Sequence, residues 1–131
     1  MKQATLNWID KAESDLLLVR QTLATSDPVF DGACFHAQQC AEKYLKAYMQ
    51  EHLIRFPRIH DLDGLAALIS DATPAIDAMQ TDLQWLTTYA VDIRYPGASA
   101  TQTEATRAVD IATAVREHIR AALGITEATE S

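Results

Sequence analysis

The chain has 131 residues, 48% of them hydrophobic, which suffices for one domain with a sizeable core. Eleven Lys and Arg stand against 18 Asp and Glu, a net charge of −7; a generic nucleic-acid binder needs the opposite sign to neutralise phosphates. Four Gly and four Pro are too few for a turn-rich β-sandwich, no apolar run has the ~18 residues of a membrane span, and Met1-Lys2-Gln3-Ala4-Thr5 lacks the apolar stretch of a signal peptide, so composition predicts a cytoplasmic helical protein.

The apolar residues recur with helical period almost throughout. A first helix is predicted over about 5–24, with Trp8, Ala12, Leu16, Val19 and Leu23 on one face and a start near Thr5 or Asn7. Thr25-Ser26-Asp27-Pro28 breaks it. A second helix, about 30–53, places Phe30, Cys34, Ala37, Ala41, Leu45 and Tyr48 on one face, widened by Ala33, Cys40, Tyr44 and Ala47. The connector Ile54–Ile59 leads to a short third helix, about 62–71, with Asp61 as N-cap and Leu65, Leu68 and Ile69 inward. Thr73-Pro74 opens a fourth, about 75–92, with Ile76, Met79, Leu83, Leu86 and Ala90 on one side, and Arg94-Tyr95-Pro96-Gly97 interrupts it. A fifth, about 101–123, aligns Ala105, Ala108, Ala112, Val115, Ile119 and Leu123, and Gly124 stops it.

Such stripes bury themselves only against one another. The expectation is an all-α, antiparallel four- or five-helix up-and-down bundle formed by residues 1–124, with a frayed tail at 125–131. The alanines of the second and fifth helices permit close approach. Leu6, Leu17 and Trp85 fall off the stripes and either touch a neighbouring helix or mark a homodimer face. Cys34 and Cys40, six residues apart on one helix, are beyond disulfide reach of each other and are expected as buried thiols in a reducing compartment.

Charge is uneven. Residues 36–60 carry Lys43, Lys46, Arg55 and Arg58 against Glu42 and Glu51, whereas residues 61–92 carry six aspartates and no Lys or Arg. His36, Gln39, Lys43, Lys46 and Gln50 share a quadrant of the second helix, either a solvated stripe or a phosphate-contacting surface, and Glu42 can pair with Lys46 one turn on. His60-Asp61 reads as a capping arrangement or as a pair in which Asp61 orients His60. Pro96 disfavours helix at Tyr95, so Arg94 and Tyr95 project from irregular backbone, either for function or with Arg94 paired to the acidic stretch. One His beside one Asp, with no second His nearby, gives no metal site, and no cofactor is expected. Neither thiol has a positioned base, and no Gly-rich phosphate loop or G-x-S-x-G turn occurs.

Ala37-Gln38-Gln39-Cys40-Ala41-Glu42-Lys43-Tyr44-Leu45-Lys46-Ala47, then His60-Asp61-Leu62, then Arg94-Tyr95-Pro96, with Trp8 through Asp15-Leu16 ahead of them, resemble in order and spacing the HEPN domain family (higher eukaryotes and prokaryotes nucleotide-binding) over roughly residues 4–122. The resemblance implies a dimerising helical bundle, in prokaryotes often encoded beside a minimal nucleotidyltransferase as a toxin–antitoxin pair. In those pairs the HEPN protein is a metal-independent RNase with an Arg-x(4–6)-His motif, in which Arg stabilises the pentavalent phosphate and His moves a proton. Here no His follows Arg94 before His118. Arg55 and His60 satisfy the spacing but lie in the connector, the wrong place for the motif. The resemblance therefore implies a non-catalytic nucleotide-binding or interaction subunit working with a nucleotidyltransferase. Lys43 and Arg94 would hold phosphate, Tyr95 would contact a base, and His60 would orient the ligand. An RNase with an atypical site and a structural dimer without a small ligand are the alternatives.

Overall fold

The computed structural model describes residues 1–91 and 96–125. Among these residues all regular structure is helical: α1 (Gln3–Leu23), α2 (Phe30–Glu51), α3 (Leu62–Ala67), α4 (Pro74–Asp77), α5 (Gln80–Thr87) and α6 (Gln102–Ala122). None is long and apolar enough to cross a membrane.

α2 is the central helix. It packs along both α1 and α6, and α3 and α5 touch it as well. The alanine pattern explains this centrality. Ala33, Ala37, Ala41 and Ala47 of α2 and Ala105, Ala108 and Ala112 of α6 are fully buried, so helix axes approach without large side chains between them. Leu16, Val19, Leu45, Met49, Leu62, Leu65, Ile76, Leu83, Leu86 and Ile119 fill the remaining core.

Polar groups tie the ends. Oε1 of Glu51, the last residue of α2, accepts from the backbone N–H of Lys2 at 3.0 Å and the Thr5 hydroxyl at 2.9 Å, while Lys2 Nζ donates to the Glu51 carbonyl at 2.9 Å. Each charge thus sits at the helix end whose dipole it complements. At α6 a capping box closes the N-terminus, with Thr101 and Glu104 exchanging side-chain-to-backbone bonds.

Three sequence expectations are corrected. The predicted helix 75–92 is two helices, because the chain tightens into i→i+3 bonds at Thr73–Ile76 and Ile76–Met79 and α5 ends at Thr87; Ile76, Leu83 and Leu86 of the predicted stripe are buried all the same. α3 ends at Ala67, leaving Leu68 exposed. Asp61 stands at the N-cap of α3, but its side chain accepts no capping bond; the Leu62 N–H donates instead to Thr87 Oγ1 of α5 at 2.9 Å.

Of the off-stripe residues, Trp85 packs edge-on to Tyr89 and carries the Arg107 guanidinium 4.1 Å from its ring centre. Leu6 and Leu17 are exposed. Both cysteines are buried and not in a disulfide. Burial pushes the Cys40 thiol up to about 12, helped by the nearby Glu13 and Asp15 carboxylates.

Candidate functional site

Three carboxylates organise the polar chemistry of the bundle. Glu42 lies on α2, and its side chain is only 5% exposed. Its Oε2 accepts from Lys46 Nζ at 2.8 Å, and its Oε1 accepts from His60 Nδ1 at 3.0 Å and Gln38 Nε2 at 3.2 Å. Gln38, fully buried, also donates to the His60 carbonyl at 3.1 Å, which pins the connector to the helix. Burial alone would raise the Glu42 pKa, but hydrogen bonds from Lys46, His60 and Gln38 prevail and hold it below the usual carboxylate range. Lys46 Nζ lies 5.7 Å from the Trp8 ring centre and 5.8 Å from that of Phe56. The expected solvated stripe is thus corrected at Lys46, whose side chain is buried between a carboxylate and two aromatic rings.

The second carboxylate is Asp15 of α1, also buried. It accepts from His36 Nδ1 at 2.7 Å and from Lys43 Nζ at 2.5 Å. The third, Glu13, receives Arg116 through Nε at 2.9 Å and Nη2 at 3.0 Å, and the Tyr44 hydroxyl at 2.7 Å. Arg120 Nη1 then donates to the Tyr44 oxygen at 3.2 Å. Burial would raise the Glu13 pKa, yet the bonds from Arg116 and Tyr44 outweigh it and lower the value; burial and the Glu13 carboxylate push the Tyr44 phenol well up.

The candidate residues are therefore anchored in two places. Lys43 is held by Asp15 and His60 by Glu42; positions 42 and 43 point about 100° apart around α2. Arg94 and Tyr95 lie outside the described residues. Just beyond them, the Ala100 N–H donates to Asp31 Oδ1 in the first turn of α2 at 2.6 Å. Asp61 does not take part in orienting His60; Glu42 bonds the Nδ1 instead, and leaves the ring 62% exposed with Nε2 available to a ligand. Among the described residues no group of three or more His, Cys, Asp or Glu could hold a metal.

Sequence reasoning missed Asp15 and Glu13 as anchors and Trp8 with Phe56 as the cover over Lys46. The signal for Glu42 was its i,i+4 spacing to Lys46. Asp15 carried a fainter one: it falls one residue before Leu16 on the buried side of α1, where an acid requires a partner.

A central alanine-rich helix that carries a buried carboxylate and two lysines, flanked by α1 with a second buried carboxylate and by a connector that presents an imidazole, defines a class of small helical bundle. The sequence matches the HEPN domain family over residues 5–122, and the chain belongs to that family. The fold is similar to the crystal structure of an archaeal HEPN homologue, with 25% sequence identity, a TM-score of 0.72, and coverage of 92% of this chain and 98% of that one. No curated protein matches.

Proposed function

We propose that this HEPN chain is a non-catalytic nucleotide-binding or interaction subunit that works as a homodimer with a minimal nucleotidyltransferase in a toxin–antitoxin-like pair. The observation that supports it best is the fixing of His60 and Lys43 by buried carboxylates. Donors already immobilised lose little further entropy when a ligand arrives, and each has a face toward solvent. Lys43 and Arg94 would contact phosphate, His60 would hydrogen-bond the ligand and Tyr95 would contact a base. Exposed Leu6 and Leu17 of α1 supply apolar surface for a second copy.

A second reading, a metal-independent RNase with an atypical site, draws on the Glu42–His60 pair, because a carboxylate on Nδ1 orients an imidazole for proton transfer at Nε2. One experiment separates them. The purified chain is incubated with single-stranded RNA in EDTA, and its melting is followed with ATP, GTP and AMP. Binding predicts intact RNA and a melting increase that Lys43→Ala and Arg94→Ala both abolish. Metal-independent cleavage lost on Arg94→Ala and His60→Ala establishes the RNase instead. Unchanged melting with every nucleotide, in a stable dimer that leaves RNA intact, leaves only a structural module.

A further inference from the structure

We propose a second anion-binding site, separate from the Lys43 and His60 region, in the cavity between the C-terminal halves of α1 and α6, with a small phosphate-bearing anion as its ligand. The cavity measures about 430 Å³ and is lined by Arg20 of α1, by Thr113, Arg116, Glu117 and Arg120 of α6, and by Ile125. That volume falls in the range of small-molecule sites.

Three guanidinium groups on one cavity are unusual in a chain of net charge −7. Glu117 lines the same cavity and Glu13 binds Arg116 from beneath, so the local balance stays cationic where the whole molecule is anionic. Two of the arginines are also built in. Arg116 is 9% exposed and clamped by both oxygens of Glu13; Arg120 is 7% exposed and bonded to Tyr44, whose hydroxyl is itself fixed by Glu13. A half-buried acid and a buried phenol thus hold two guanidinium planes in place, and the exposed Arg20 approaches from the opposite helix. Guanidinium groups so fixed suit phosphate, whose oxygens accept paired N–H bonds. Thr113 adds a hydroxyl on the same wall.

A different role must be separated from this one. Arg20 and Arg120 lie in the last turns of α1 and α6, where a cation complements the helix dipole without binding anything. That role requires neither Arg116 nor a cavity, and it predicts no response to added anion.

The test uses pyrophosphate as probe, at fixed ionic strength, by calorimetric titration and thermal shift on the full chain. Arg20→Glu and Arg20→Gln remove the exposed arm of the site without touching the buried arginines, and Lys11→Glu makes the same charge change elsewhere on α1. Saturable binding is expected in the wild type, weakened about tenfold or more by Arg20→Glu, less by Arg20→Gln, and unchanged by Lys11→Glu. Lys43→Ala with His60→Ala is expected to leave the Arg20-dependent part of pyrophosphate binding in place, so failure of the nucleotide site and failure of this one are distinguishable. The proposal is overturned by absence of saturable binding, by equal weakening in Arg20→Glu and Lys11→Glu, or by Arg20 variants that melt earlier yet bind pyrophosphate like the wild type.

Discussion

Oε1 of Glu42 receives the Nδ1 of His60 at 3.0 Å, so a buried acid on the central helix fixes an imidazole that is itself 62% exposed. The other oxygen holds Lys46, making Glu42 the link between an ammonium packed under aromatic rings and a ring open to solvent.

Glu42→Gln is expected to destabilise the bundle by about 3 kcal/mol, because Lys46 is left as a buried charge without its carboxylate. Replacing both, Glu42→Gln with Lys46→Met, removes that charge and is expected to restore more than half of the loss. Urea unfolding of the three proteins checks this. A double variant as unstable as the single one would mean that the ion pair is not the source of the cost.

Acid sensitivity follows from the same residues. Glu13 and Glu42 have folded-state pKa values below those of the unfolded chain. Their contribution is therefore complete above the ordinary carboxylate range and is lost as pH falls through the lower folded values. Stability measured by urea unfolding is expected to be level down to about pH 5 and to decline below it. Glu13→Gln with Glu42→Gln is expected to be less stable at neutral pH and to show a shallower decline. Glu51 is also lowered, by the Lys2 backbone N–H first and Thr5 second, but it is solvent-exposed and its share is screened.

Much of the bundle was readable because apolar period and small residues act locally. The stripes Ala12, Leu16, Val19 and Ala105, Ala108, Ala112 are buried as expected, and the Glu42–Lys46 spacing gave a real pair. What was not readable depends on residues distant in sequence. Thr87 caps α3 from 25 positions away, and Glu13 finds Arg116 across 103. No periodicity encodes such pairings. The same holds for Lys43 and His60, whose carboxylates come from α1 and α2 in a geometry set only when the helices dock.

The cap of α3 tests that distinction. Thr87 Oγ1 accepts from the Leu62 N–H and donates to the Leu83 carbonyl at 2.8 Å. Thr87→Val keeps the shape but leaves the Leu62 N–H without its acceptor, and is expected to cost about 1–2 kcal/mol. Asp61→Ala, at the position that sequence alone assigns to the cap, is expected to change stability by less than about 0.5 kcal/mol. Thermal unfolding of both variants decides; the reverse order would restore Asp61 as the effective cap.

Two helices end in the same way with different residues, and only one end was visible in the sequence. α6 closes with Gly124 at φ +76°, the Ile125 N–H reaching back to the Arg120 carbonyl at 2.8 Å. α2 closes with Leu53 at φ +55°, the Ile54 N–H reaching the Met49 carbonyl at 2.8 Å. Both are left-handed helix terminators, where a Cβ crowds the backbone and glycine does not. Leu53 is 76% exposed, so its side chain offers little packing in return. Leu53→Gly relieves roughly 1–2 kcal/mol of backbone strain while giving the unfolded chain more freedom, worth about 0.5–1 kcal/mol against folding. The net expectation is a gain of a few tenths to about 1 kcal/mol, read as a higher melting temperature. Gly124→Leu is expected to do the opposite by a similar amount, since among the described residues nothing lies within 4 Å of a Cβ placed there and the backbone conformation is the obstacle. A Leu53→Gly protein that melts lower than the wild type would show that the exposed leucine makes a contact outweighing its strain, and would make it a candidate for the surface a second copy covers.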